Sequence, residues 1–285
     1  MNDKSPWRHH ASMLKDKTRI EKFYAALERS ISDSDCVVDI GTGTGILASY
    51  ASSLTSGNVT GIEFFPQLAN LARSLTQEKS INIIEGRSFD VQLDVPPNVL
   101  VTETIGLIGP EENIVEICAD FKYRHPTLRT ILPTTLSIWA EPVYSLKIDA
   151  DYNRIIEAIS LASTNESLPH DWYSKMEMDL AHELRTGDLD DAKPCGRASN
   201  LVKYVLGLSK TSDFRTFFNL DDSTSSEANG VHLYFEADLL GDILSSHRNA
   251  PHTHWRNAWI RRPHKCNSLE IKYESKSRKF SFRWR

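Results

Sequence analysis

The sequence predicts an α/β domain built on a parallel sheet, followed by an antiparallel β-barrel domain. Short runs rich in valine and isoleucine alternate with helical stretches in the first half, and the second half changes to strand-like runs with alternating apolar and polar residues. A stretch with helical spacing, Asp16–Ser30, precedes both patterns. The 285 residues therefore divide into an N-terminal helical segment (1–35), an α/β domain (36–135) and a barrel domain (136–285).

The first half contains four predicted strands, separated by stretches long enough to hold crossover helices. The strands are CVVDIG (36–41), VTGIEF (59–64), INIIEG (81–86) and NVLVTE (98–103). The stretches between and after them are Thr44–Ser53, Pro66–Lys79 and Glu111–Tyr123. Alternation of β and α in this way predicts a parallel sheet with helices on both faces.

The second half consists of short strand-like runs joined by polar links. These runs are LSIWAEPV, VKYVLGL, VHLYFEADL, NAWIRR, LEIKYES and FSFRWR. In the last of them Phe280, Phe282 and Trp284 alternate with polar residues, which is typical of antiparallel strands with one buried face. Before these runs, Tyr152–Ala162 and Trp172–Leu184 have helical patterns.

Composition excludes several classes of protein. The chain is 40% hydrophobic and 25% charged, which is ordinary globular composition, and its net charge of −5 provides no positive field for nucleic acid. Four scattered cysteines without a C-x-x-C pair indicate reduced thiols. The N-terminus has no signal-peptide pattern, and no run approaches the roughly 18 apolar residues of a membrane span. We expect a soluble cytoplasmic protein that binds neither nucleic acid nor membranes.

A glycine-rich loop follows the first predicted strand. The segment Asp39-Ile-Gly41-Thr-Gly43-Thr-Gly45 closes this strand and opens a helix, and glycines at such a turn let a ligand approach the backbone closely. Glu63 ends the second strand, 24 residues after Asp39, where a carboxylate can accept hydrogen bonds from ribose hydroxyls. A tight turn without a ligand is the alternative. The context on both sides favours a cofactor that contains a nucleoside, in a Rossmann-like domain.

The spacing of the glycines favours S-adenosylmethionine (SAM) over NAD. The loop reads G-x-G-x-G, so the dinucleotide fingerprint G-x-G-x-x-G is not met. An acid two residues before the first glycine is also typical of SAM-binding proteins. Asp39 would serve the ammonium side of this cofactor, directly or through water.

Four separated segments resemble the protein arginine methyltransferase family. They are His10-Ala-Ser-Met13-Leu14-Lys-Asp16-Lys-Thr-Arg19, the glycine loop with the strand end at Glu63, the loop from Glu103 to Glu112, and Thr253-His254-Trp255. They look like the family's H-x-x-M-L-x-D-x-x-R segment, SAM-binding loop, double-glutamate loop and T-H-W loop, in the family's order. The resemblance implies a class I methyltransferase domain followed by a β-barrel, and arginine N-methylation with SAM.

Two glutamates placed close together are chemically suited to bind a guanidinium. A guanidinium stays protonated at neutral pH because its pKa lies above about 12, and it must approach a sulfonium that is also positive. Glu103 and Glu112, nine residues apart, would offset this repulsion and hold the planar group through charge-assisted hydrogen bonds. Positioning and preorganised charge would then supply most of the acceleration.

The resemblance also implies roles for single residues. Glu103, Glu112, His254, Asp16 and Met13 would form the catalytic site, with Met13 lining it. His254 and Asp16 would either accept the released proton or tie the N-terminal helix to the barrel.

The cofactor and the substrate entrance would be formed by further residues of the same segments. Arg19 would pair with the cofactor carboxylate and Glu63 with the ribose. The other cofactor-binding residues would be His10, Asp39, Gly41, Gly43, Ser88 and Phe89. Trp255 and Leu107 would contact the substrate.

The chain departs from the family's pattern in three places. Only six residues precede Trp7, where the family carries an aromatic Y-F-x-x-Y helix. Ile105 and Leu107 replace the family's usual Met and aromatic residue, and Phe89 stands where an acid often binds the adenine amino group. A candidate helical arm at about 151–187 predicts a homodimer. The nearby His247, His252, His264 and Cys266 lack ligand spacing, so no metal is predicted.

The sequence leaves three substrate classes and two rival functions open. The arginine acceptor would be in a protein, in a peptide or free. The first rival is a SAM-dependent N- or O-methyltransferase of another small metabolite. The second is a non-catalytic methyltransferase-like scaffold subunit.

Overall fold

The computed structural model describes residues 6–162, 172–220, 227–263 and 266–285. The helices are α1 (Pro6–Lys15), α2 (Lys17–Ser30), α3 (Ile46–Ala51), α4 (Pro66–Leu75), α5 (Ile114–Arg124), α6 (Leu146–Ala162) and α7 (Trp172–Ala181). The strands of the first half are β1 (Val37–Ile40), β2 (Val59–Glu63), β3 (Ile81–Glu85), β4 (Val99–Thr102) and β5 (Thr130–Leu132). The later strands are β6 (Thr135–Tyr144), β7 (Arg185–Gly187), β8 (Lys193–Pro194), β9 (Ser199–Val205), β10 (Phe214–Asn219), β11 (Gly230–Leu239), β12 (Asp242–Ser245), β13 (Asn257–Arg261), β14 (Ser268–Glu274) and β15 (Lys279–Trp284).

The first five strands form a parallel sheet in the order β3-β2-β1-β4-β5. Every residue of β1 and of β4 is buried, as expected for central strands covered on both faces. The four predicted strands correspond to β1–β4. The fifth, β5, has only three residues, which is too short for a recognisable pattern.

The order of the strands places a switch point between β1 and β4. The chain runs outward from β1 to β3 and then returns to the other side of β1 as β4. Ile40 and Thr102 are paired at the carboxyl ends of these two strands, so the loops that follow them lie side by side. Ligands of open α/β sheets bind at this edge.

The remaining strands form two antiparallel sheets. In the larger one β11 pairs with β6, β12 and β13, while β6 also pairs with β9 and β8; the smaller one has the order β10-β14-β15. The predicted fold class, a parallel Rossmann-like sheet followed by antiparallel β structure, is confirmed. The six predicted runs correspond to β6, β9, β11, β13, β14 and β15. Strands β7, β8 and β12 have four residues or fewer, which is too short to show an alternation of apolar and polar residues.

Helix α2 connects the two kinds of sheet. Asp16 caps its N-terminus by accepting a hydrogen bond from the backbone N–H of Arg19 at 3.0 Å. Phe23 and Leu27 are fully buried, and Arg29 Nη2 donates to the carbonyl oxygen of Leu239 on β11 at 2.8 Å. Lys22 forms an ion pair with Asp242 on β12. The N-terminal segment therefore packs against both halves of the chain.

Among the described helices, none has the length and apolarity needed to span a bilayer.

Candidate active site

The glycine loop between β1 and α3 adopts the backbone that only glycine accepts easily. Gly41, Gly43 and Gly45 have φ angles of 71°, 57° and 81°. A Cβ atom at Gly41 would lie 2.7 Å from Cγ2 of Thr104, in the loop after β4. The loop therefore runs tightly against the end of β4.

Two buried carboxylates hold this loop. Asp39 Oδ2 accepts hydrogen bonds from the Thr42 hydroxyl at 2.6 Å and from the Ala48 backbone N–H at 3.1 Å. Burial raises the pKa of Asp39 to about 6. Glu63 accepts from the backbone N–H of Gly43 at 2.8 Å through Oε2 and from that of Phe65 at 2.9 Å through Oε1. Both acids therefore order the backbone at this edge of the sheet.

A cleft of about 360 Å³ opens between this loop, helix α1 and the end of β4. Its lining residues are Met13, Leu14, Arg19, Asp39, Gly41, Thr42, Gly43, Thr44, Ile46, Leu47 and Glu103. Segments that are up to 90 residues apart in the sequence therefore meet in one cavity.

Within the cleft, Arg19 forms an ion pair with Glu103. Both side chains are 5% exposed, and Arg19 Nη2 also donates to the carbonyl oxygen of Met13 at 2.9 Å. The Arg19 Nε–H is buried and has no acceptor among the described residues. Burial raises the pKa of Glu103 to about 8, although Arg19 opposes this rise. Glu103 therefore already binds a guanidinium within the protein.

The loop from Glu103 to Glu112 ends in a 3-10 turn, Pro110–Glu112. Glu112 is exposed at the rim and is not part of the cleft lining. The surrounding protein removes part of the hydration of the Glu112 carboxyl, and this loss together with the neighbouring Glu111 raises its pKa, while Arg278 lowers it. The negative charge of Glu112 adds to the rise in the pKa of Glu103.

The T-H-W segment binds both the N-terminal helix and the double-glutamate loop. Asp16 Oδ2 accepts from the backbone N–H of His254 at 2.8 Å and lies 2.9 Å from its Nδ1. Burial raises the pKa of Asp16, but its hydrogen bonds to His254 and Arg19 outweigh this effect and lower it. Trp255 Nε1 donates to the carbonyl oxygen of Ile105 at 3.2 Å, and its ring packs edge-on against Phe235.

Two further predicted residues lie after β3. Ser88 is buried, and its carbonyl oxygen accepts from Arg124 Nη2 at 2.7 Å. Arg124 Nη1 also donates to the carbonyl oxygen of Val91 at 2.8 Å, so one arginine of α5 holds this segment. Phe89 is half-buried and packs against the main core.

The structure brings part of the predicted set into the cleft. Six predicted residues line it: Met13, Arg19, Asp39, Gly41, Gly43 and Glu103. Glu63 adjoins the lining through Gly43. The rest of the described set is not part of the lining: Asp16, Ser88, Phe89, Leu107, Glu112, His254 and Trp255. His10 belongs to α1, and its side chain lies outside the described residues.

Sequence reasoning did not single out five lining residues or Glu111. Thr42 and Thr44 lie inside the glycine motif, where their spacing could have been noticed, and Leu14, Ile46 and Leu47 carry no chemical signal. In the sequence Glu111 stands out only as the neighbour of Glu112. Its contacts depend on the fold of the loop, which no local pattern predicts.

A second polar cluster lies on the antiparallel sheet, away from this cleft. Glu141, His232 and His247 offer ligand atoms within 4.8 Å of one another. His232 is fully buried, and burial lowers its pKa to about 3. However, Arg248 Nη1 hydrogen-bonds to Glu141 and lies 3.1 Å from His247 Nε2. A guanidinium thus takes the place of the cation in this cluster, and we do not assign a metal to it.

Sequence comparison finds relatives with one kind of activity. The chain is 26% identical over 274 residues to the arginine N(omega)-methyltransferase of Streptomyces achromogenes subsp. streptozoticus, which covers 89% of this chain and 70% of that protein. It is 26% identical over 153 residues to protein arginine N-methyltransferase PRMT10 of Arabidopsis thaliana, covering 51% of this chain and 39% of the relative. This plant relative is thus matched over less than half of its length. No family model matches the chain.

Structural comparison finds the same fold. The crystal structure of the Arabidopsis thaliana protein arginine methyltransferase 10 superposes with a TM-score of 0.77 at 16% identity, covering 96% of this chain and 91% of the other. The Trypanosoma brucei PRMT1 enzyme–prozyme complex with AdoHcy superposes with a TM-score of 0.73 at 18% identity, covering 92% and 86%. At these identities the likeness establishes the fold.

The parallel sheet with its glycine loop, joined to antiparallel β structure, defines a class I methyltransferase fold with a C-terminal β domain. The relatives and the structural neighbours indicate the family that the chain resembles. The chain is similar to members of the protein arginine methyltransferase family in sequence and in fold.

Proposed function

We propose that this protein is a SAM-dependent N-methyltransferase that acts on an arginine guanidine. The observation that carries the proposal is the pairing of Glu103 with a guanidinium in a buried cleft that also contains the glycine loop. The relatives named arginine methyltransferases and the AdoHcy complex of the trypanosomal neighbour support the same reaction and cofactor.

The residues of the cleft fit SAM. Three left-handed glycines bring the backbone close to the cavity, and the buried Nε–H of Arg19 offers a hydrogen bond to a carboxylate. Asp39 and Glu63 would meet the ammonium and ribose groups, and Ser88 and Phe89 would border the adenine. When bound, SAM supplies an electrophilic methyl group on a positively charged sulfur.

The acids of the cleft would hold and orient the acceptor. A substrate guanidinium and Arg19 would compete for the Glu103 carboxylate, so release of Glu103 by Arg19 would favour binding of the acceptor. The cofactor carboxylate offers Arg19 its alternative partner. Glu103 and Glu112 would then offset the charge repulsion and leave electron density on the nitrogen that faces the methyl group.

The contacts between Asp16 and His254 favour one of the two roles suggested for this pair. Two contacts from His254 converge on a single oxygen of Asp16, the cap of α2. This arrangement favours a tie between the N-terminal helix and the antiparallel half. Acceptance of the released proton by His254 is the second role.

Mass spectrometry of acceptors tests the proposed function. The wild-type protein is incubated with SAM and either free L-arginine or an Arg-Gly-rich peptide, and SAM binding is measured in parallel. Each methyl group transferred should add about 14 Da, the mass of one CH₂ unit, to one of these acceptors. If SAM binds but neither acceptor gains mass, the guanidine acceptor is rejected and another metabolite is favoured as the substrate. If SAM does not bind, a scaffold subunit is favoured.

The comparison of the two acceptors also decides the substrate class. The relative that covers most of this chain is named for arginine without reference to a protein, whereas the plant relative is named for protein arginine. We propose the free amino acid as the first acceptor to test. Methylation of the peptide alone would instead assign a protein or peptide substrate.

We expect the rate of methyl transfer to rise with pH. Burial raises the pKa of Glu103 to about 8, so this carboxyl is largely protonated at pH 6 and cannot pair with a guanidinium. The carboxylate forms as pH increases, so kcat/KM should increase through pH 7–8 and level off near pH 9. Initial rates between pH 6 and 9, with SAM affinity as the control, measure this. A flat profile would contradict the proposed role of Glu103.

Assembly as a homodimer is a further proposal. Helices α6 and α7 cover much of the range 151–187 of the predicted arm, and Leu161 of α6 is 74% exposed. Packing of a second chain against the arm would bury such an apolar side chain. Light scattering at micromolar concentration tests this, and a monomer mass would reject it.

The four cysteines are free thiols, which is compatible with the cytoplasmic location that we propose.

A further inference from the structure

Glu111 lies inside the double-glutamate loop and binds the backbone of that loop. Its Oε1 accepts a hydrogen bond from the N–H of Ile108 at 2.9 Å, and its Oε2 accepts from the N–H of Gly109 at 2.8 Å. Charge-assisted hydrogen bonds of this kind are stronger than neutral ones. One carboxylate thus satisfies two consecutive backbone donors of the turn.

The loop is shaped to receive this side chain. A Cβ atom at Gly106 would lie 2.4 Å from Oε2 and 2.7 Å from Cβ of Glu111. The N–H of Gly106 donates to the carbonyl oxygen of Gly109 at 2.8 Å and closes the same turn. Glycine at position 106 is therefore what allows the carboxylate to reach the backbone.

The neighbouring Glu112 has no such anchor. It is exposed and makes no hydrogen bond to the described part of the chain. Beyond Glu103, hydrogen bonds from other segments reach the loop at Ile105, from Trp255, and at Pro110, whose carbonyl oxygen accepts from the Tyr273 hydroxyl at 3.0 Å. The side chain of Ile108 is buried in the main core. Between these two points the Glu111 carboxylate fixes the path of the backbone that presents Glu112.

We propose that Glu111 is a positioning residue that holds Glu112 at the guanidine site through its bonds to Ile108 and Gly109. This inference rests on the proposed function only for the role of Glu112. The anchoring of the loop is a property of the chain itself. Glu111 acts through Glu112 and does not need to touch the substrate.

A double-mutant cycle tests this coupling. Glu111→Ala should lower kcat/KM by about 10²-fold, the loss typical of a catalytic group displaced by about 1 Å, while SAM affinity stays within about threefold. Glu112→Gln should lower it by a similar factor. The double variant should be no more than about threefold worse than the worse single variant, because Glu112 is already misplaced when Glu111 is absent.

Matched variants separate positioning from general stability. Glu116→Ala removes an acid of α5 that accepts from the backbone N–H and the hydroxyl of Ser212, both at 2.7 Å, away from the cleft. It should lower the melting temperature at least as much as Glu111→Ala does, with kcat/KM within about threefold of wild type. Gly106→Ala should reproduce the loss of activity, because its Cβ displaces the Glu111 carboxylate. Glu111→Gln, which keeps one acceptor oxygen, should recover part of the activity.

Hydrogen exchange gives a readout that does not depend on turnover. The amides of Ile108 and Gly109 should exchange at least about tenfold faster in Glu111→Ala than in wild type, while those of the glycine loop stay unchanged. If the wild type binds SAM but methylates neither acceptor, the proposed function fails, and exchange alone decides whether Glu111 anchors the loop. Three results would each overturn the proposal. They are unchanged exchange of the Ile108 and Gly109 amides, losses of kcat/KM that multiply in the double variant, and a loss of kcat/KM in Glu116→Ala equal to that in Glu111→Ala.

Discussion

Glu103→Gln is expected to lower kcat by about 10³-fold, the upper range for removal of one preorganised charged group from an active site. The substitution keeps the size of the side chain and one acceptor oxygen, but it removes the negative charge that pairs with a guanidinium. SAM affinity should not fall, because the glycine loop, Asp39 and Glu63 are unaltered and Arg19 loses the carboxylate that competes with the cofactor. Single-turnover methyl transfer and calorimetric titration with SAM measure the two effects separately.

Glu85→Gln is the matched control for this variant. Glu85 ends β3 as Glu103 follows β4, at the same edge of the parallel sheet, but it is exposed and is not part of the cleft lining. Its kcat should stay within about twofold of wild type, as for most surface substitutions. A loss of only a few-fold in Glu103→Gln would indicate a neutral nucleophile, because such an acceptor needs no charge compensation. That result would favour the small-metabolite rival.

Gly41→Ala is expected to lower SAM affinity by at least about 10²-fold and to destabilise the fold. The left-handed backbone at φ 71° costs about 1–2 kcal/mol for a residue with a Cβ. The added methyl group also lies 2.7 Å from Thr104 Cγ2, and overpacking of this kind costs about 1–3 kcal/mol. Because Gly41 lines the cleft, relief of the clash moves the cofactor loop. Calorimetric titration with SAM and thermal unfolding measure both effects.

The chain provides a matched control and a rescue for this variant. Gly241 has a φ of 91°, but a Cβ there would meet nothing within 4 Å. Gly241→Ala should therefore show the backbone cost alone, with unchanged SAM affinity. Thr104→Ser removes the methyl group that the new Cβ would strike and keeps the hydroxyl that lies 3.0 Å from that of Thr102. Adding it to Gly41→Ala should restore most of the affinity. Equal losses in Gly41→Ala and Gly241→Ala would show that the close approach to Thr104 has no effect.

The ion pair between Arg19 and Glu103 connects the cofactor half of the cleft with the acceptor half. Removing one member of a buried pair leaves the other charge without compensation, which costs about 3–5 kcal/mol. The internal guanidinium of Arg19 therefore compensates the charge of Glu103. The same chemistry makes Glu103 suitable for an arginine acceptor once Arg19 has another anion to bind.

Local patterns in the sequence predicted the elements that lie closest to the chemistry. Burial on both faces requires continuous apolar runs in the central strands, so β1–β4 could be recognised, and the glycines indicated the turn after β1. Alternation revealed the long antiparallel strands such as β6 and β11. Because parallel strands end at a common edge of their sheet, the predicted strand ends were sufficient to bring Asp39, Glu63 and Glu103 to that edge.

Contacts between distant segments were decided only by the tertiary structure. The binding of Arg19 to Glu103, of Asp16 to His254 and of Trp255 to Ile105 depends on how α2 and the antiparallel strands pack against the parallel sheet. The role of Glu111 depends on a turn in which Gly106 leaves room for its carboxylate. Periodicity reports which face of an element is buried, but a hydrogen bond between segments depends on distances that only packing sets. The sequence by itself therefore determined the fold class and the residue types of the site, and the packing of α2, the double-glutamate loop and the T-H-W segment decided which of them meet.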